Sequence, residues 1–352
     1  MISFFKYLGM VAFALLPVLS SAALQTGKFQ VGKITGTADL IDGKSQRKPL
    51  ESGAIFQEGA RIETGVDSTA ELFLSNGSSL VLTPSTLIEV RTFRQVPSPD
   101  ITVPYRQIEK DPSPSVTEVM VSRGKVISEV RKLNALSTFS IKTPAGLARV
   151  RSAVFSVEYR LGQDGIGKIA VSCVRGVVET TVYSSNVGPV PVEPGMQTSS
   201  SVPSAALINS LARSAEPASP AAAAAALAPV KVLVFPIPSE ELSVLSSVLA
   251  AASSQPSEVS ATINAMAQTA PSVQAIFPNG ASEPVKTLGQ VITDSQVTDL
   301  KVVESKVGAP GAPLSTSNGG GGTTMDDSLK RISDNVNRTV EQKQLDPSAT
   351  GG

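Results

Sequence analysis

Residues 29–198 are written in the two-residue period of a β-strand, and nothing else in the chain restricts its fold as strongly. Successive side chains of a strand point to opposite faces. Alternation such as Ala70-Glu71-Leu72-Phe73-Leu74, answered by Leu80-Val81-Leu82, therefore marks ribbons half-buried against a core. Between those runs lies Ser75-Asn76-Gly77-Ser78, and Asn-Gly supplies the two positive-φ residues of a type I′ hairpin turn. Asp42-Gly43 follows Ala38–Ile41 with the same logic, and Asp164-Gly165 separates residues 154–159 from 169–174. Apolar residues at helical spacing are scarce here, whereas Thr, Val, Ser and Ile dominate, as a pleated surface prefers. Many short strands at regular spacing predict an all-β domain, sandwich or barrel-like, over residues 27–198.

Two features punctuate that pattern. Arg123-Gly124-Lys125-Val126 and Arg175-Gly176-Val177-Val178 echo one another, each ahead of a run that ends in valine, at Val130 and Val182. They read as two similar tight corners using glycine where a Cβ would clash, with a binding motif as the alternative. Residues 94–115 hold Pro97, Pro99, Pro104, Pro112 and Pro114, which cannot serve a central ladder. A loop this long in a β domain is a candidate partner surface, the alternative being a tolerated insertion.

From residue 199 the composition changes. Residues 199–229 form a linker rich in Ala, Pro and Ser, ending in the alanine run 221–226. Residues 230–307 carry one stray strand at 230–235 and then short helices that open at Pro238-Ser239, Pro256-Ser257 and Pro271-Ser272. Serine is a good N-cap, and Glu240, Glu241 and Glu258 suit a first turn. Leu242, Leu245 and Leu249 line one face of the first helix, and Val259, Ile263 and Met266 one face of the second. Residues 308–352 form a Gly-rich flexible tail in which Leu329, Ile332, Val336 and Val340 allow one last short helix.

The chemistry available is narrow. The 352 residues hold no His and no Trp, which removes Ser-His-Asp and Cys-His activation and most zinc sites. Carboxylates such as Asp39, Glu71 and Glu158 form no pair at useful spacing, and in strands they usually face solvent. No catalytic, cofactor-binding or metal-ligating residue is singled out, and no cofactor is expected. Lys+Arg and Asp+Glu both number 30, so no basic excess points to nucleic acid. Cys173 is the sole cysteine, which excludes an intramolecular disulfide and predicts a packed, unreactive thiol.

Residues 1–23 read as a signal peptide. Lys6 precedes an apolar run over 7–19, and Ser21-Ala22-Ala23 supplies the small residues of a cleavage site. The run is short for a bilayer span of about 20 residues, so cleavage after Ala23, or one residue earlier, is expected rather than an uncleaved anchor. The expected destination is the periplasm or beyond, with no transmembrane span after cleavage.

Over residues 27–198 the chain resembles the FecR domain family. The resemblance rests on an ordered series of motifs: Gly36-Thr37-Ala38, Leu50-Glu51-Ser52-Gly53, residues 58–65 ending in Thr64-Gly65, the hairpin 70–80, and Thr83-Pro84-Ser85. It continues through Phe139-Ser140-Ile141-Lys142-Thr143-Pro144-Ala145-Gly146 and closes on Val174-Arg175-Gly176-Val177-Val178. The family's Val-Arg-Gly-Thr-x-Phe is here Val150-Arg151-Ser152-Ala153-Val154-Phe155, with Gly and Thr replaced. Within it Ala153, Phe155, Val157 and Tyr159 alternate onto one face. Arg151 starts the strand, where a bond to a neighbouring loop carbonyl competes with a ligand-binding role. The resemblance implies a non-catalytic envelope module that binds a protein partner in signalling or scaffolding. Family members that relay a signal to a sigma-factor regulator do so through a cytoplasmic segment, and a chain opening on a signal peptide does not inherit that half. A structural or surface-display spacer is the alternative function.

Overall fold

The computed structural model describes residues 24–43, 45–98, 103–213, 230–252, 257–276 and 301–303. The expected signal peptide, linker residues 214–229 and the tail 308–352 with its last helix lie outside the described residues.

Every strand among the described residues joins one sheet, which closes on itself. The fold is all-β with a few short helices toward the C-terminal end. Three strands carry it: Ser115–Val130, Gly146–Leu161 and Ile166–Val182, each 16 or 17 residues long. The alternation had suggested only short strands. The long ones instead bend and change neighbours along their length. Ser115–Val130 lies between Leu87–Gln95 and Thr138–Thr143 over its first part, then between Ser79–Leu82 and Gly146–Leu161. Gly146–Leu161 likewise leaves Thr138–Thr143 for Ser115–Val130, while Ile166–Val182 follows it on the other side.

The Arg-Gly echoes mark two of these bends. Gly124 and Gly176 have φ of +88° and +83°, a region that side-chain-bearing residues avoid. A Cβ on Gly124 would meet Thr86 Oγ1 at 2.4 Å, and one on Gly176 would meet the Ser152 carbonyl oxygen at 2.2 Å. They are corners, as expected, but they lie inside strands rather than ahead of them. The ladder shifts register beside each, between Val121 and Arg123 and between Val150 and Ala153.

The hairpin of Thr69–Leu74 and Ser79–Leu82 forms, but with Leu72 opposite Leu80, one residue away from the register that a two-residue Asn-Gly loop would set. Its turn is not type I′. Gly77 alone takes positive φ, the Leu74 N–H donates to Ser78 and the Gly77 N–H to Leu74, which is a type I turn with a glycine bulge. Asn76 keeps an ordinary φ because its side chain is used inward. It donates to Ser115 and Thr117 and accepts from the Ser78 N–H. In the Asp42-Gly43 turn it is Ser45, at φ 61°, that takes the left-handed position.

The main core fills the closed sheet, with Phe29 stacked on Phe56 and edge-on to Phe93, both at 5.1 Å between ring centres. Ala153, Phe155, Val157 and Tyr159 all face it, as their alternation requires. Their neighbour Val154 is fully buried on the opposite face, together with Val81, Ile127 and Val174. That outer face is covered by helices Ser239–Ala251 and Ser257–Thr269 through Leu242, Leu245, Leu249, Val259 and Ile263, with Met266 packed alongside. The predicted helical stripes are thus the buried ones. Ser239 is not the N-cap: Pro238 occupies that position, without a side-chain cap, and Ser239 is the first helical residue.

The sheet continues past residue 198. Met196–Pro203 pairs with Ile166–Val182 on one side and with Val232–Pro236 on the other, and Lys301–Val303 adds to the latter. The run read as a stray strand is therefore an interior member of the sheet.

Candidate functional site

Three polar places on and beside the long strands are the candidate sites. The first centres on Lys125, one residue after the Gly124 corner. Its side chain is only 9% exposed, and its ammonium meets Glu158 at 2.9 Å and Glu241 at 2.5 Å. Glu158 also pairs with Arg160, and Arg123 with Glu63. Burial alone would depress the Lys125 pKa. Glu241 and then Glu158 more than offset it and hold it above the usual lysine value. The sign follows: this stabilisation is complete below the ordinary lysine pKa and is lost only as pH rises through the raised one, so neutral pH leaves it intact. Beside the pair lies an open cleft of about 530 Å³ between the Thr83-Pro84-Ser85 turn, the 123–125 corner, residues 158–161 and the helix residues Val244 and Val248.

The second is the proline-rich segment 94–115, whose residues 99–102 are outside the described set. Its latter half is not a free loop. Tyr105–Gln107 forms a short 3-10 turn, Ile108 packs under Gly77, and Asp111 is 2% exposed. The Asp111 carboxylate accepts from Ser137 Oγ at 2.5 Å, Ser115 Oγ at 3.0 Å and, at longer range, the Asn134 and Ser113 N–H groups. Val103, 45% exposed, belongs to the part that faces solvent.

The third is Arg151. Its guanidinium donates to the carbonyls of Ser137 at 3.0 Å and of Asn134 and Ala135 at 3.1 Å, so it clasps the 134–137 turn. The local carbonyl role is the one observed. That turn presents Leu136, 77% exposed.

These three places coincide with one family segment. Residues 60–179 match the model described as FecR protein. The chain carries a FecR segment. The match is narrower than residues 27–198 and holds the Lys125, Asp111 and Arg151 sites, but it excludes the strands before residue 60 and the helices that supply Glu241. Two crystal structures of a proposed anti-sigma factor from Parabacteroides distasonis are similar at 17% identity, over 40% of this chain and 53% of that one, with a TM-score of 0.28. The match thus spans about half of that protein's length, and a TM-score this low supports no conclusion about this chain. The comparison with curated proteins found no match.

Of the carboxylates noted in the sequence, Glu158 joins the Lys125 pair and Asp39 meets Arg47 at 3.5 Å. Glu71 departs from the solvent-facing expectation at 1% exposure, in space that Gly32 leaves by having no Cβ. The described residues hold no group of three His, Cys, Asp or Glu side chains that could bind a metal ion, and no helix long and apolar enough to cross a membrane. Sequence reading missed Asp111, whose only signal was an acid between Lys110 and Pro112, and the partnership of Lys125 with Glu241, 116 residues apart.

Cys173, inside the FecR segment, is fully buried, and burial pushes its thiol up to about 12. Only the thiolate is a useful nucleophile, so alkylation of the native protein at pH 7.5 is expected to take hours where a free thiol takes minutes. Mass spectrometry of iodoacetamide-treated protein checks this, and complete labelling within minutes would refute the packed state.

Proposed function

We propose that this chain is an exported, non-catalytic module of the cell envelope that binds a protein partner as a signalling or scaffold component. The match of residues 60–179 to the FecR family carries this reading, because members of that family act as regulatory proteins rather than enzymes. The N-terminal signal pattern supports a periplasmic or secreted location, and the balanced charge gives no support to nucleic-acid binding. In this reading residues 27–198 form the binding domain. Met196–Pro203, Val232–Pro236 and the helices that follow pack onto the same sheet, and residues 214–229 and 308–352 are read as linker and tail. No cofactor and no catalytic residue takes part.

Exposed apolar residues on the FecR segment are the places to look for contact, since large ones left in water often belong to interfaces. Val103, Leu136, Leu161 and Val177 are 45%, 77%, 57% and 51% exposed. Photo-crosslinking amino acids placed singly at these positions, in intact cells of the native host, should trap one and the same protein from at least one position. A matching residue on the strands away from those positions should trap none. Equal, unspecific trapping at every position would favour a structural spacer over a binding module.

A further inference from the structure

The outer sheet face at Val81, Ile127, Val154 and Val174 belongs wholly to the FecR segment, whereas the residues that cover it, from Ile237 to Ile263, lie outside. The segment therefore brings an apolar face that it does not bury by itself. Such a face needs a cover, and three features of this cover bear on its exchange for another.

Each covering helix is 13 residues long, at the margin of what persists in water, so the hairpin owes its helicity to the face beneath it. The polar tie is also shared. Breaking most buried ion pairs strands a charge, but Lys125 keeps Glu158 at 2.9 Å if Glu241 departs. Finally, the cleft of about 530 Å³ runs along the flank of Ser239–Ala251, with Leu161 and Val244 exposed at 57% and 45% on its rim. An incoming apolar chain would find a foothold there without first lifting the hairpin.

We propose that this face is a helix-docking surface, for which the chain's own hairpin competes with an amphipathic acidic helix of the partner protein. The chain's own occupant states the chemistry required. Glu241 meets Lys125, and Leu242, Leu245 and Leu249 form the apolar stripe next to it. This rests on the partner-binding reading above and adds where the partner binds and what it must present.

The test uses the full chain and, as probe, a synthetic peptide of residues 237–270. In hydrogen exchange the amides of the hairpin should open while those of 124–130 and 153–159 stay protected, and Glu241→Gln should raise hairpin opening about tenfold without changing the sheet. The labelled peptide should then bind the Glu241→Gln chain about tenfold more tightly than the unaltered chain, because the internal competitor is weakened. Leu249→Ala, which weakens the same cover from its apolar side, should give the same order. Loss of protection in hairpin and sheet together would overturn the proposal, as would failure of the peptide to bind a chain whose hairpin is shown to open. Peptide binding without any specific crosslinked partner would refute the partner reading and leave the docking surface standing. A crosslinked partner that the peptide does not displace would place the contact elsewhere and overturn the proposal.

Discussion

Replacing Gly176 by valine is expected to destabilise the protein by about 3–5 kcal/mol, lowering the thermal midpoint by roughly 10 °C or unfolding it outright. Two costs add. The backbone there sits at φ +83°, where a β-branched side chain is strongly disfavoured. The new Cβ would also lie 2.2 Å from the Ser152 carbonyl oxygen and 3.0 Å from the Ala153 Cα, both backbone atoms that cannot swing aside. Gly124→Val should cost less. Its neighbour Thr86 is approached chiefly through a side chain, although the 2.6 Å contact with the Thr86 Cα keeps it from being harmless. Thermal melts followed by circular dichroism check both. A Gly176→Val chain that melts within 2 °C of the unaltered protein would show that the corner relaxes freely.

That contrast shows what the sequence makes legible. Alternation and glycine placement are local properties, and they disclose the β class, the hairpin at 69–82 and the two corners. They do not disclose that the corners sit within continuous strands, because strand continuity is set by partners far along the chain. The bend at Gly176 exists to follow Gly146–Leu161, whose own register slips at Arg151. The type I′ expectation failed for a similar reason. Asn-Gly is permissive of that turn, but the Asn76 side chain is held by Ser115 and Thr117, about forty residues away.

The candidate site was less legible still. Lys125 and Glu241 are unremarkable as letters, one in an Arg-Gly-Lys corner and one at a helix start. Their partnership arises only once the helices dock on the outer face. That docking was hidden because alternation assigns each strand run one core-facing set and gives no reason for the intervening Val81, Ile127, Val154 and Val174 to be buried as well. Two-sided burial is a property of the assembled sheet.

Asp111→Ala is expected to cost about 2–4 kcal/mol and to free the segment 103–114 while the rest of the sheet remains folded. The carboxylate is the hub of a buried polar cluster. Without it Ser115 and Ser137 lose their acceptor, and the Asn134 N–H loses a partner at the turn that Arg151 clasps from the other side. Asp111→Asn should recover part of the loss, since one amide oxygen still accepts but its amino group faces the remaining donors. This outcome also divides the proline-rich segment by role. Its latter half is a structural strap over the 74–79 turn, where Ile108 packs against Gly77, whereas Val103 ahead of it is half-exposed. Excising residues 97–114 behind a short Gly-Ser bridge should therefore destabilise the protein at least as much as Asp111→Ala, whereas excising 97–103 alone should leave the melting midpoint within about 2 °C. Urea denaturation of the variants reads the difference directly. Equal midpoints for the two excisions would mean that the Asp111 cluster contributes nothing to holding the domain together.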